Sequence, residues 1–166
     1  MKELKQCLVL GVGNVLMGDD GLGVRAIEAF LAKYELTEGV ETLDGGTGGL
    51  ALLEFIQDFE SIIVVDAIAS EAPPGTIEQY TDEELKAARQ LTRPSAHQIG
   101  LYELIETARL GGHAPSVTLI GVVPFRIEAG APLSKIVEDQ IEQVADRIAT
   151  ELKRLDIECN PRPENA

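Results

Sequence analysis

Short unbroken apolar runs alternate along this chain with stretches whose apolar residues recur every three or four positions. Cys7 to Gly11 is a continuous apolar run bounded by glycine, the pattern of a strand covered on both faces. Val24, Ile27, Leu31 and Tyr34 then recur at helical spacing, with Phe30 beside them, and predict a helix after Gly23. Val40 to Leu43 reads as a second strand. It runs into Asp44-Gly45-Gly46-Thr47-Gly48-Gly49, a turn open enough for backbone to approach a ligand closely. Leu50, Leu53, Phe55 and Ile56 suggest another helix, and Ser61 to Val65, mainly β-branched, is a strand that stops at Asp66.

The second half continues the alternation. Pro73-Pro74-Gly75 marks a turn, and Thr76 to Tyr80 is a more polar strand that belongs near a sheet edge. Thr81 with Glu84, and Ser95 with Gln98 after Pro94, have capping-box spacing; they open a short helix and a helix to about Arg109. Val117 to Val123 is a further buried strand, ended by Pro124. Ser134 caps a last helix, with Ile136, Val137, Ile141, Val144, Ile148, Leu152 and Leu155 as its apolar stripe and Glu138, Asp139, Glu142 and Asp146 facing water. From Asp156 on, Asn, Pro and charged residues predict a frayed tail. The expected organisation is one α/β domain over residues 1–156, three layers with about five strands, followed by a flexible tail over 157–166.

Composition narrows the partners. Acidic residues outnumber basic ones 28 to 14, a formal net charge of −14, in a chain that is 45% apolar. Such a surface repels nucleic acid and anionic lipid, which are held chiefly by Lys and Arg. No apolar run approaches the roughly 18 residues of a membrane span, and no export signal is visible, so a cytoplasmic protein without membrane insertion is expected. Cys7 and Cys159 have no partners at metal-ligand spacing and read as free thiols.

The candidate chemistry gathers at strand ends. Gly11-Val12-Gly13 begins like a dinucleotide fingerprint, but Leu16 stands where the third glycine belongs and Asp19-Asp20 would repel a pyrophosphate. There is no Walker sequence, nucleophile elbow, His-Glu-x-x-His or Asp-Thr/Ser-Gly. Instead Asp19 and Asp20 follow the first strand, Asp44 follows the second and Asp66 ends the third. If these strands are parallel, their ends converge on one crevice. His97, in the first turn of a helix, would be kept neutral by the helix dipole and so able to act as a ligand or base. Each residue also has a structural explanation: helix-start acids at 19 and 20, strand-end capping at Asp66, an Asx turn at Asp44, a helix-end histidine at 97. His113 reads as a solvated loop residue. One histidine with two carboxylates suits Ni, Zn, Fe or Mn without selecting among them.

Taken together, Gly11-Val12-Gly13-Asn14-x-Leu16-x-x-Asp19-Asp20-x-x-Gly23-Val24-Arg25, Leu43-Asp44-Gly45-Gly46-Thr47, Asp66-Ala67, Ser95-x-His97-Gln98-x-Gly100-Leu101 and Gly121-Val122-x-Pro124 resemble the hydrogenase maturation endopeptidases. The resemblance implies an α/β/α sandwich around a small, twisted, mostly parallel sheet. It implies an aspartic-type endopeptidase that removes the C-terminal extension of a [NiFe] hydrogenase large-subunit precursor after nickel insertion. On the matching motifs, Asp20, Asp66 and His97 fall on metal-contact positions and Asp44 on a further acidic position associated with activity. Asp20 is glutamate in some members, one methylene longer. The nickel would come with the precursor, and the protein itself is expected to be a monomer. A non-catalytic nickel-site chaperone or carrier using the same residues is the other function these positions allow.

Overall fold

The computed structural model describes residues 2–46, 49–91, 96–113 and 115–164. Its framework is a five-stranded sheet built from β1 (Lys5–Val12), β3 (Val40–Gly46), β4 (Phe59–Ala67), β5 (Ile77–Thr81) and β6 (Ser116–Val122), in the order β3-β1-β4-β6-β5. The first four strands are parallel, and β5 runs antiparallel on the β6 edge, where its polar sequence placed it. The expected mixed α/β sandwich is the observed one.

Two cores explain why the central strands are mostly apolar. Cys7, Val9, Ile63, Val65, Ile120 and Val122 face α1 (Leu22–Lys33) and α6 (Ile141–Arg154). Leu8, Leu10, Ile62, Val64, Val117 and Leu119 face α2 (Leu53–Ile56) and α4 (Ala96–Leu110). Alternate side chains point to opposite faces of a strand, so one covered on both sides keeps few polar positions; Thr118 on β6 is buried and bonded to Glu151. Deep burial also removes the thiols from chemistry: it pushes Cys7 up to about 12 and raises Cys159 as well. No described helix is long and apolar enough to cross a membrane.

Three local expectations are corrected. The last helix is two: Ser134 caps α5 (Lys135–Glu138), with its Oγ accepting from the Val137 N–H, and the chain turns at Asp139-Gln140 before α6. Ile136 therefore leaves the buried stripe and is half exposed. Tyr34 ends the first helix and opens β2 (Tyr34–Glu35), which pairs antiparallel with β7 (Asn160–Pro161). The segment read as a frayed tail is fastened through this pairing. Ile157 and Cys159 are buried, and Arg162 donates from its backbone N–H to Lys33 and from Nε to Leu31. The polar sequence after Asp156 concealed two apolar side chains that the core needs. α3 (Asp82–Leu91) opens beside the expected cap, where Glu84 accepts from the Thr81 N–H at 2.8 Å.

Candidate active site

The carboxyl ends of β1, β3 and β4 lie side by side, Gly11 standing opposite both Asp44 and Val65 in register. Glycine lets the next segment fold down onto these ends. Gly13 has a φ of 120°, and a Cβ there would come within 1.9 Å of the Asp20 carbonyl oxygen. Gly23 is pressed equally hard from the first turn of α1. A Cβ on it would lie 2.3 Å from the Val65 carbonyl oxygen and 2.6 Å from that of Val12. Close helix–sheet packing, the task of a third glycine in a dinucleotide fold, is thus performed by Gly23, seven residues beyond the position Leu16 occupies.

The 3-10 turn Gly18–Gly21 carries the acid pair, and its two members divide. Asp19 is fully buried, and its carboxylate accepts from four donors. These are the N–H groups of Phe125 and Arg126 at 2.9 Å each, the Ser134 N–H at 2.6 Å and the Ser134 Oγ at 2.9 Å. It anchors the loop after β6. Asp20, 8% exposed, accepts from the Asn14 N–H at 2.9 Å, which holds it over the end of β1.

Asp66 is the anomaly. It is 1% exposed at the end of β4, and its Oδ1 accepts only from the N–H of the next residue, Ala67, at 2.8 Å. Its Oδ2 is buried with no hydrogen-bond partner among the described residues. Burial pushes this carboxyl well above the ordinary range, the negative charge of Asp20 pushes it further, and the Ala67 N–H offsets only part. A buried acceptor left unpaired costs roughly 1–3 kcal/mol, which sets Asp66 apart from the other buried acids among the described residues.

Asp44 is at the same end of the sheet but exposed, and its Oδ1 accepts from the Gly46 N–H at 2.9 Å, an Asx turn. His97 is the second residue of α4; its side chain, like Ser95 and the proposed cap there, lies outside the described residues. Among the described residues no three His, Cys, Asp or Glu side chains are grouped to hold a metal. His113 is half-buried and bonded to the backbone instead of being a free loop side chain. Its Nε2 lies 2.6 Å from the Phe59 carbonyl oxygen at the start of β4, away from the acid pair. What the sequence hid is the share of Phe125, Arg126 and Ser134 in the site's frame, because nothing local marks residues that serve a carboxylate more than a hundred positions earlier.

The family model for hydrogenase maturation proteases matches residues 24–151. The Hydrogenase 2 maturation protease of Escherichia coli (strain K12) is 39% identical over 157 residues, covering 93% of this chain and 95% of that protein. This chain belongs to the hydrogenase maturation protease family. The hydrogenase expression/formation protein HupD of Rhizobium leguminosarum bv. viciae is 40% identical over 161 residues, covering 96% of this chain and 80% of that protein. Among solved structures, the hydrogenase maturating endopeptidase HybD from E. coli superposes with a TM-score of 0.88 at 36% identity, covering 96% of this chain and 99% of that one. The [NiFe] hydrogenase maturation protease HybD from Thermococcus kodakarensis gives 0.73 at 28% identity, covering 89% and 98%. As a hydrogenase maturation protease the protein is a peptide-bond hydrolase, so the strand ends that gather Asp20, Asp44 and Asp66 belong to a peptidase.

Proposed function

We propose that this protease removes the C-terminal extension of a [NiFe] hydrogenase large-subunit precursor once nickel is inserted, and that it reads the bound nickel through Asp20, Asp66 and His97. The observation that carries the reading is the buried, unpartnered Oδ2 of Asp66 beside a second negative carboxylate. Two carboxylates that repel each other in a dry site are stabilised together by a cation, and a third, imidazole ligand completes an oxygen–nitrogen set suited to Ni2+. The nickel is part of the substrate, so only a loaded precursor brings the cation to this pair of carboxylates. Cofactor loading then becomes the condition for cleavage.

Amide hydrolysis needs a positioned water and a group to manage its proton. The thiols cannot serve, since both are buried and their pKa values are raised. We assign the proton handling to carboxylates, with Asp44, exposed at the neighbouring strand end, as the group that positions the attacking water. This is aspartic-type chemistry licensed by a metal that belongs to the substrate.

The test is to incubate catalytic amounts of the protein with nickel-loaded and nickel-free large-subunit precursor of a [NiFe] hydrogenase from the same organism, and to follow the precursor's mass. Only the loaded precursor should lose its C-terminal segment, many molecules per enzyme. Equal trimming of the nickel-free form would remove nickel recognition. A loaded precursor of unchanged mass, or one released stoichiometrically, would favour a carrier.

A further inference from the structure

We infer that the loop after β1 and the loop after β6 form one apolar rim on which an apolar stretch of the precursor polypeptide docks beside the carboxylates; this rests on the function proposed above. Four of the large apolar side chains left exposed, Val15, Leu16, Phe125 and Ile127, lie on these two loops, Leu16 at 71% and Phe125 at 60% exposure. The loops are bonded to each other through their backbones. The Gly130 N–H donates to the Leu16 carbonyl at 2.8 Å, the Gly18 N–H to Ala131 at 3.1 Å and the Asp19 N–H to Arg126 at 2.9 Å.

β1 and β6 flank β4, so the joined loops meet across the end of the strand that carries Asp66. The Asp19 carboxylate fixes the second loop from beneath, through the Phe125 and Arg126 N–H groups. Gly18 is kept without a side chain by the Arg126 carbonyl oxygen, 2.8 Å from where a Cβ would stand. The backbone is therefore set while the apolar side chains face water, a surface that loses little freedom when it is covered.

The occupant follows from the reaction. A peptide bond brought to Asp20, Asp44 and Asp66 has chain on both sides of it, and one side must cross the joined loops. Charge narrows its chemistry. Residues 13–17 carry no charged side chain in a protein of net charge −14, and on the second loop the exposed Arg126 and Glu128 pair with each other, so the rim offers apolar contact where most of the surface offers carboxylates.

The experiment measures binding and cleavage of the nickel-loaded precursor by wild type, by Leu16→Ser/Phe125→Ser and by Ile127→Ser. Thermal melts confirm that each variant is folded. For the double variant Kd and KM should rise about 10-fold or more with kcat within about 2-fold, and Ile127→Ser should show a smaller rise of the same kind. Leu110→Ser, at a residue 90% exposed before the opposite end of β6, should change neither. Wild-type Kd and KM in both rim variants would overturn the rim and leave the cleavage reading intact. If wild type binds the precursor without shortening it and the rim variants lose binding, the rim stands and the cleavage reading falls. If wild type neither binds nor cleaves, both fall.

Discussion

Glu151 and Asp66 are almost equally buried, 2% and 1% exposed, and both lie against the same sheet, yet their surroundings are opposite in kind. The Glu151 carboxylate accepts from Thr118 Oγ1 at 2.8 Å, from Gln79 Nε2 at 3.0 Å and from the guanidinium of Arg154, whose Nη2 stands 2.6 Å away. Burial pushes its pKa upward, but Arg154, Thr118 and Gln79 outweigh that push and hold it below the ordinary range. Among the described residues Asp66 has one backbone N–H donor and, for a charged neighbour, the carboxylate of Asp20. Asp19 sides with Glu151, since four donors surround it. A buried acid with all its donors in place builds the fold. A buried acid that lacks them among the described residues, at the strand ends of a peptidase, is the residue our proposal gives to the nickel of the substrate.

The largest stability effect should come from Asp19→Ala, which strips the acceptor from three backbone N–H groups and a hydroxyl. We expect about 3–4 kcal/mol lost in denaturant unfolding. Glu151→Ala should cost less, about 2–3 kcal/mol, because Arg154 is half exposed and regains water when its partner goes. Its effect carries a pH signature. A carboxylate whose pKa is lowered by folding contributes stability above its unfolded value, near 4.5, and loses it as pH falls through the lowered one. The wild-type minus Glu151→Ala difference in melting temperature should therefore shrink on acidification below that value.

Asp66 should behave in the reverse sense. It keeps its proton to higher pH in the fold than in the unfolded chain, so the folded state binds more protons in the window above 3.8 and stability falls as pH rises through it. Asp66→Asn should melt higher than wild type at neutral pH, by on the order of 1–2 kcal/mol, with the gain vanishing near pH 3. A variant that melts lower at neutral pH would break the contrast with Glu151. Asp44→Asn should be smallest in stability, within about 0.5 kcal/mol, because asparagine keeps the bond to Gly46. Precursor cleavage by that variant should nonetheless slow by at least ~10-fold if Asp44 positions the water.

The strand framework was legible because each central strand is covered on both faces, leaving largely apolar runs at 7–11, 61–65 and 117–123, with Ser61 and Thr118 as the polar members. The polar β5 gave away its edge, and Ser134 its cap. That Asp20, Asp44 and Asp66 share one end of the sheet followed once parallel strands were assumed, because loops after parallel strands lie at the same end. The division of labour within Asp19-Asp20 was only partly visible: adjacent acids cannot both face the same way, but which one turns inward depends on donors from residues 125–134. The break at Asp139-Gln140 has no glycine or proline to announce it. The return of 157–162 onto Tyr34-Glu35 depends on a pairing too short and too distant to leave a pattern.

We propose above all that the Oδ2 of Asp66, which has no partner among the described residues, is kept for the nickel of the substrate. The most direct measurement is the rate at which folded Asp66→Asn shortens nickel-loaded precursor, read by mass spectrometry beside wild type. Asparagine keeps an oxygen and nearly the same shape but removes the charge a metal would meet, so cleavage should slow by about 100-fold or more while the protein remains folded. Trimming at the wild-type rate would contradict the claim and make the buried oxygen of Asp66 a defect of the fold with no part in the reaction.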